Sequence, residues 1–300
     1  MSGERSTVML VGDPVAHSVS PPMQQAAFDA LGLPLVYTTL RVGRADLLDT
    51  FSRLSRTTLG LNVTAPLKEA VIPLLDRVDP SAAAARSVNT VLFGSEGSWG
   101  ASTDGDGFLD ALAVVGVRSN AEAVVLGSGG AARAVAAALA LRGTAVSIVG
   151  RTLESVNRLV EDLSTLSEDG APPLRLRPLT LEPSSLPDAL SRADLLVNAT
   201  PVGGWTDPGR SPIPNADLLH PRLTVFDLVY RPRRTRLLSD AVERGCRVVE
   251  GVEMLVRQGA RSLEMWTGRP APVEAMRAAA FKALEDEPRP AMSSEGGSAP

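Results

Sequence analysis

The chain contains a single cysteine, Cys246, among its 300 residues. It therefore cannot form an internal disulfide, and it cannot build a zinc site from clustered cysteines. Histidine is almost as scarce, with only His17 and His220, and no Asp/His cluster has the spacing of metal ligands, so we expect no metal. This cysteine usage fits a reducing compartment, and the expected location is the cytoplasm.

Long hydrophobic runs are also missing. No stretch approaches the roughly 20 apolar residues of a membrane span, and the apolar run after Thr7 is too short for the core of a signal peptide. We therefore expect neither export nor a membrane partner. The remaining composition, 44% hydrophobic and 21% charged, is typical of a folded globular chain whose length favours two domains.

The charges form no basic surface. Thirty basic and 34 acidic residues give a formal net charge of -4, and the arginines are spread singly, which argues against a nucleic-acid partner. Only Lys68 and Lys282 are lysines, so a lysine within a motif stands out in this sequence.

Apolar runs rich in Val, Ile and Leu alternate with helical patterns, which predicts an α/β fold with a parallel sheet flanked by helices. A glycine-rich turn divides two such arrays near Asp104. The predicted strands are Val8–Val11, Val36–Arg41, Gly60–Val63 and Asn89–Phe93, then Ala123–Leu126, Ala145–Val149, Leu195–Asn198 and Thr224–Leu228. The predicted helices are Pro22–Leu31, Arg44–Leu54 and Leu67–Leu75, then Ala131–Leu141, Leu153–Leu163 and Thr235–Arg244, with Val252–Trp266 and Pro272–Leu284 last. Periodicity alone leaves open which array the last two helices join.

A buried strand, a glycine turn and an alanine-rich helix follow one another from Val124 to Ala134, in the sequence VVLGSGGAARA. Glycines in such a turn let backbone N–H groups approach a pyrophosphate at the start of the helix. Short glycine patterns also occur as simple turns, but the strand before and the helix after favour a dinucleotide site.

The next strand ends at Gly150-Arg151-Thr152, about where a dinucleotide fold meets the adenosine ribose. Sites for NAD usually place an acidic residue there. An arginine and a hydroxyl instead suit the 2′-phosphate of NADP, although a lone solvated arginine would look the same in sequence. NADP is therefore the expected cofactor and NAD the less favoured one.

Six further motifs resemble the shikimate dehydrogenase family in order and spacing. They are Gly12–Pro21 (GDPVAHSVSP), Asn62–Lys68 (NVTAPLK), Val88–Thr90 (VNT), Ser102–Gly105 (STDG), Asp227–Pro232 (DLVYRP) and Gln258–Gly259 (QG). The resemblance covers about residues 8 to 284. It implies an enzyme that reversibly reduces 3-dehydroshikimate to shikimate with NADPH, a small-molecule substrate as the partner, and a role in chorismate and aromatic amino acid biosynthesis.

The resemblance also implies an architecture. A substrate domain, residues 5–104, would be completed by the last helices at 252–286, and a Rossmann-like NADP-binding domain would occupy residues 105–251. Residues 287–300, with Pro, Ser and Gly and few apolar side chains, are a predicted disordered tail. The oligomeric state stays open.

Site roles follow from the resemblance position by position. Lys68 and Asp104 become the catalytic pair, which also contacts substrate. The other implied substrate contacts are Ser18, Ser20, Thr64, Asn89, Tyr230 and Gln258. The implied cofactor contacts are Gly127, Ser128, Gly129, Gly130 and Ala131, then Gly150, Arg151 and Thr152, then Leu228 and Gly251.

The chemistry of these residue types agrees with the implied roles. Hydride transfer between an alcohol and a nicotinamide leaves one hydroxyl proton to be moved, and a single acid/base group serves both directions. Lys68, placed after Pro66 at the predicted start of a helix, would move that proton. Asp104 would hold the Lys68 side chain in place. Taken singly, Lys68 would be a surface lysine and Asp104 a helix cap. We assign His17 a structural hydrogen bond and His220 no role.

Departures from the family pattern leave the substrate open. The family usually has Asn where this chain has Ser102 and Gly150, and His-Asn where it has Gln24-Gln25. It usually has a second Arg where this chain has Ser155, and Met where it has Gly204. A quinate or aminoshikimate dehydrogenase is therefore an alternative. A non-catalytic NADP-binding regulator is an alternative from another class, disfavoured because a binder needs no acid/base pair.

Overall fold

The computed structural model describes residues 6–116, 121–167, 172–180 and 185–285. The predicted tail at 287–300 lies outside them. Two sheets run through these residues, and the Val, Ile and Leu runs seen in the sequence form their buried strands. The strands of the first sheet are β1 (Thr7–Gly12), β2 (Val36–Arg41), β3 (Gly60–Val63), β4 (Arg77–Val78), β5 (Thr90–Gly94) and β6 (Gly97–Ala101). The strands of the second are β7 (Glu122–Leu126), β8 (Ala145–Gly150), β9 (Leu176–Thr180), β10 (Leu195–Asn198), β11 (Thr224–Asp227) and β12 (Arg247–Glu250).

Helices cover both sheets. They are α1 (Ser20–Ala30), α2 (Leu47–Thr57), α3 (Pro80–Ala84), α4 (Asp104–Ala113), α5 (Gly130–Leu141), α6 (Leu153–Ser164), α7 (Ser185–Arg192), α8 (Arg236–Glu243), α9 (Gly251–Thr267) and α10 (Val273–Glu285). No helix within the described residues is long and apolar enough to cross a membrane.

The second sheet is parallel throughout, in the order β12-β11-β10-β7-β8-β9. Counted from β7, this is the 3-2-1-4-5-6 order of the Rossmann fold, which places a cofactor crevice at the carboxyl ends of the strands. Helices α5 and α6 pack on one face through Val135 and Leu159, and α7 and α8 cover the other through Leu190 and Leu238.

The first sheet is mixed, in the order β2-β1-β3-β5-β6-β4. Strands β1, β2 and β3 are parallel as predicted, but β5 runs antiparallel to β3, and β6 antiparallel to β5. The prediction of a purely parallel sheet is therefore wrong for this half. The reversal places the amino end of β5 and the carboxyl end of β6 at the edge where β1 and β3 end.

The last two helices return to the first sheet. Val256 and Leu263 of α9 and Met276 of α10 share a buried core with Met23 and Phe28 of α1. The indole N–H of Trp266 donates a 2.9 Å hydrogen bond to the Val91 carbonyl, which fixes α9 to β5. This packing answers the question that periodicity left open. The domain division at 5–104 with 252–286 and at 105–251 stays a prediction that the packing supports.

One predicted helix, Leu67–Leu75, is wrong. The segment forms a single turn, closed by the Val71 N–H on the Leu67 carbonyl at 3.0 Å, followed by a short 3₁₀ helix at Ile72–Leu74. Pro73 lacks the N–H that an α-helix would use at that point, which ends the helical pattern. Lys68 therefore lies on a turn and not in the first turn of a helix.

We expect Gly60→Ala to lower the free energy of unfolding by about 1 to 3 kcal/mol, as overpacking does. A Cβ at Gly60 would lie 2.5 Å from Trp266 Nε1 and would also collide with the Val91 carbonyl. Urea unfolding gives the measurement. Gly209→Ala is the matched control, because nothing lies within 4 Å of a Cβ there. Equal unfolding midpoints for the two variants would contradict the tight packing at Gly60.

Candidate active site

A cleft of about 850 Å³ lies between the facing edges of the two sheets. Its walls are the segments that follow the carboxyl ends of β1, β3, β7, β10 and β11, together with the start of α9. The predicted site residues that line it are Ser18, Ser20, Thr64, Lys68, Asn89, Asp104, Ser128, Gly129, Gly130, Ala131, Leu228, Tyr230, Gly251 and Gln258. Gly127, Gly150, Arg151 and Thr152 lie outside this lining.

Lys68 and Asp104 meet within the cleft. The Lys68 ammonium lies 2.5 Å from Asp104 Oδ2, and the two side chains are 17% and 6% exposed. The Asn89 amide donates to the other oxygen, Asp104 Oδ1, at 2.8 Å. Both oxygens of the carboxylate are therefore occupied, and Asp104 holds the ammonium in one place.

Backbone contacts set these three side chains. The Val88 N–H donates to the Lys68 carbonyl at 2.9 Å, which ties the turn carrying Lys68 to the start of β5. The Thr103 N–H donates to Asn89 Oδ1 at 2.8 Å, which orients the Asn89 amide toward Asp104. Asp104 is the first residue of α4, whereas the sequence predicted a glycine-rich turn around it.

Gln258 joins the cluster from α9. Its Oε1 accepts a 3.2 Å hydrogen bond from the Asn89 amide. Gly107 permits this approach, because a Cβ there would lie 2.5 Å from the Gln258 backbone nitrogen. Helix α9 therefore crosses α4 closely enough to place Gln258, distant in sequence, beside Asn89.

A polar network beneath the cleft was not assigned a role from the sequence. The Asn62 amide donates to Ser262 Oγ at 3.1 Å, and Tyr37 donates its hydroxyl proton to Asn62 Oδ1 at 2.7 Å. Thr90 and Ser262 are joined at 2.7 Å. Asn62 also lines the cleft. Asn62 lies in the NVTAPLK motif, and this motif is the sequence feature that could have identified it as a site residue.

The serine pair lies on the segment that leads from β1 into α1. The Ser18 hydroxyl accepts a 3.1 Å hydrogen bond from the Ser20 N–H, so the two residues form one compact turn at the cleft wall. Gly12 brings this segment close to Thr64 and Ala65, since a Cβ at Gly12 would lie 2.8 Å from the Ala65 carbonyl. Tyr230 lines the same cleft from the segment after β11.

The glycine turn has room for a dinucleotide phosphate. Gly127 adopts a left-handed φ of 115°, and nothing lies within 4 Å of a Cβ at Gly129. Helix α5 begins at Gly130, where its first N–H groups lack intrahelical acceptors and favour an anion. The residues of this turn therefore fit a pyrophosphate, and Arg133, paired with Asp162 at 2.6 Å, ties the helix to α6.

The segment predicted to bind the ribose end lies at the carboxyl end of β8. Thr152 caps α6 through the Ser155 N–H at 3.4 Å, and Ser128 donates to Ser155 Oγ at 3.3 Å. Ser155 thus connects the glycine turn to this segment. Arg151 is exposed, and within the described residues it pairs with no carboxylate. Its guanidinium is free to meet an anion.

Comparison with known proteins gives the family. The model of the shikimate dehydrogenase substrate binding domain matches residues 10–91, and that of the shikimate 5′-dehydrogenase C-terminal domain matches residues 251–281. A shikimate dehydrogenase (NADP(+)) of Methanopyrus kandleri is 42% identical over 95% of this chain and 98% of its own. The chain belongs to the shikimate dehydrogenase family. The resemblance read from the six motifs is confirmed.

Solved structures agree. Shikimate 5-dehydrogenase from Thermus thermophilus, in complex with NADP(H) and shikimate, has a TM-score of 0.83 and 39% identity, covering 93% of this chain and 99% of its own. Quinate dehydrogenase from Corynebacterium glutamicum, in complex with NAD, has a TM-score of 0.82 and 28% identity, covering 92% and 98%. The predicted α/β architecture with a Rossmann-like part is confirmed.

Several departures from the family pattern have structural reasons. The Gln24 amide donates to the Gly259 carbonyl at 2.9 Å, and Gln25 accepts from the Tyr37 N–H at 3.1 Å, so both hold α1 to its neighbours. A Cβ at Gly150 would collide with Val156, and one at Gly204 would lie 2.9 Å from the Pro201 carbonyl.

Position 102 departs from the family without such a contact. The Ser102 hydroxyl is buried and has no hydrogen-bond partner within the described residues, and Ser102 is not part of the cleft lining.

Asp227 anchors the wall after β11. Its carboxyl group accepts hydrogen bonds from Asn198 at 2.9 Å, from the Val229 N–H at 3.0 Å and from Thr235 at 2.7 Å. These contacts orient the segment that carries Leu228 and Tyr230. Burial raises the pKa of Asp227 to about 6, since desolvation outweighs the three hydrogen bonds.

Within the described residues, no group of three or more His, Cys, Asp or Glu side chains could hold a metal ion.

The raised pKa of Asp227 makes the free energy of unfolding depend on pH. A carboxyl whose pKa is raised on folding binds its proton more tightly in the folded state, so its contribution grows as the pH falls through about 6. We expect the parent to gain about 2 kcal/mol relative to Asp227→Asn between pH 7 and pH 4. Chemical denaturation at each pH gives the measurement.

Asp76→Asn is the opposite-sign control. Hydrogen bonds from the Ser98 backbone and side chain lower the pKa of Asp76, so the parent should lose stability relative to that variant as the pH falls. A parallel pH response of parent and Asp227→Asn would contradict the assignment.

Proposed function

We propose that this protein catalyses the reversible NADP-dependent reduction of 3-dehydroshikimate to shikimate. The observation that carries the proposal is the Lys68–Asp104–Asn89 cluster in a cleft bordered by a phosphate-binding glycine turn. The Methanopyrus relative named shikimate dehydrogenase (NADP(+)) and the Thermus structure with NADP(H) and shikimate support it. The proposed role is in chorismate and aromatic amino acid biosynthesis, in the cytoplasm.

Lys68 is the proposed acid/base group. NADPH, when bound, supplies the hydride that reduces the substrate carbonyl. Lys68 Nζ gives a proton to the carbonyl oxygen in that direction and removes it from the hydroxyl in the other. Asp104, 2.5 Å away, keeps the ammonium within the cleft, and its other oxygen is held by Asn89.

The remaining walls would orient the two molecules. Ser18 and Ser20 present hydroxyl groups suited to the substrate carboxylate, while Thr64, Asn89, Tyr230 and Gln258, which also line the cleft, would contact the substrate ring. The turn from Gly127 to Ala131 would hold the pyrophosphate, and Leu228 and Gly251 the nicotinamide end. Arg151 and Thr152, after Gly150, would meet the 2′-phosphate.

Replacing Lys68 by Ala should lower kcat by roughly 10²- to 10⁴-fold, the usual contribution of a positioned acid/base group, with a smaller effect on KM. The measurement is NADPH absorbance with shikimate as substrate. Lys282→Ala is the matched control, because this second lysine of the chain is exposed on α10.

Asp104→Asn tests whether the pair acts as a unit. It should impair turnover, and the double variant should lose much less than the product of the two single losses. Near-normal turnover in Lys68→Ala would remove Lys68 from the mechanism, and a non-catalytic NADP-binding regulator would then be the better hypothesis.

Arg151 should set the preference for NADP over NAD. Removing its charge-assisted hydrogen bonds, worth about 1.5 to 3 kcal/mol, should lower the ratio of kcat/KM values by roughly 10- to 150-fold in Arg151→Ala. Arg158→Ala is the control, because Arg158 is another exposed arginine, on α6. Because Gly150 and Ser155 depart from the family, the starting preference should be modest. Equal kcat/KM values with NADP and NAD in the unmutated protein would show that Arg151 is only solvated.

A quinate or aminoshikimate dehydrogenase is the second candidate, favoured by the departure at position 102, where the family usually has Asn and this chain has Ser102 with a buried hydroxyl that has no hydrogen-bond partner within the described residues. We expect Ser102→Asn, which restores a longer amide, to raise kcat/KM for shikimate relative to the other acids by roughly 5- to 150-fold. Kinetics of parent and variant on the three acids give the measurement. An unchanged ratio would place the discrimination elsewhere, and no turnover of shikimate by the parent would favour the second candidate.

A further inference from the structure

Trp205 lines the cleft from the segment that follows β10. Six residues of this segment line the cleft, and Trp205 alone among them carries an aromatic ring; they are Ala199, Thr200, Pro201, Gly204, Trp205 and Thr206. Gly204 leaves no space for a side chain of its own, because a Cβ would lie 2.9 Å from the Pro201 carbonyl. The segment therefore presents one large surface to the cleft, the indole of Trp205.

Two contacts hold this indole. The guanidinium of Arg231 lies 5.4 Å from the ring centroid, within the range of a cation–π interaction, and Arg231 is 8% exposed. The ring of His17 lies 6.1 Å from the indole, centroid to centroid, with an interplanar angle of 31°. This separation is within the range of attractive aromatic pairs.

The two contacts come from opposite walls. Trp205 and Arg231 follow strands of the second sheet, whereas His17 precedes Ser18 on the segment that follows β1 of the first. The His17–Trp205 pair therefore joins the two walls of the cleft, beside the serine pair proposed to bind the substrate carboxylate. From the sequence, His17 is expected to make only a structural hydrogen bond, and its contact with Trp205 depends on the packing of the two walls.

We infer that Trp205 is a positioning residue that holds the cleft closed over the bound substrate through its contact with His17. Arg231 fixes the indole on its own wall, and the imidazole of His17 meets it from the other. Closure brings Ser18 and Ser20 to the substrate carboxylate without contributing to proton transfer at Lys68. The inference rests on the proposed function, because its readout is shikimate affinity.

The experiment compares Trp205→Ala and Trp205→Phe with the parent in steady-state kinetics with shikimate and NADP. Trp205→Ala should raise KM for shikimate by about 2- to 12-fold, the range expected from loss of one aromatic pair, while kcat changes much less. Trp205→Phe should retain most of the parent KM because it keeps a ring. Trp99→Ala is the control, since Trp99 lies on β6 outside the cleft lining.

A double-mutant cycle with His17→Ala separates the contact from general packing. His17 is exposed, so its replacement should leave the fold intact and serves as the test even if Trp205→Ala fails to fold. His17→Ala alone should raise KM, and the double variant should add little to Trp205→Ala.

An unchanged KM in Trp205→Ala or in His17→Ala, or fully additive effects, would overturn the inference while leaving the proposed function intact. A parent protein that does not turn over shikimate would overturn both.

Discussion

The ion pair between Lys68 and Asp104 is the interaction around which both halves of the molecule are arranged. A largely buried carboxylate and ammonium are stable together only if their remaining hydrogen-bonding capacity is met, because either charge alone would carry a large desolvation cost. Asn89 meets the second carboxylate oxygen at 2.8 Å, and Gln258 and Thr103 in turn hold Asn89. Asn89 directly precedes β5, Thr103 directly precedes α4 and Gln258 lies on α9, so the pair requires all three elements to be in place.

The mixed first sheet follows from the same requirement. With β5 reversed, Asn89 at its amino end lies at the edge where β3 ends and the Lys68 turn begins. Strand β6 reverses again and delivers Asp104 at the start of α4. A purely parallel sheet would need a crossover between each of these strands, whereas the two antiparallel steps bring Asn89 and Asp104 to one edge through short connections.

The second sheet contributes through its parallel order. Its carboxyl ends present the glycine turn, the Leu228–Tyr230 segment held by Asp227, and the Trp205 segment to one crevice. The tight approach of the halves is visible at Gly130, where a Cβ would lie 3.1 Å from both Lys68 Cδ and Ser87 Oγ. The glycine at this position therefore lets the start of α5 lie against Lys68, the proposed acid/base group.

Sequence patterns by themselves determined the buried strands, the glycine turn before α5 and the family to which the chain belongs, because these depend on local hydrophobic runs and on motifs of short spacing. Tertiary structure decided what depends on contacts between distant segments. The strand direction of β5 and β6, the return of α9 and α10 and the Asn62 network all belong to this class. The His17–Trp205 pair is the clearest case, since neither residue lies near the other in sequence and only the packing of two sheets brings their rings to 6.1 Å. Periodicity reports which face of an element is buried, but not which other element buries it, and that physical limit separates the two sets.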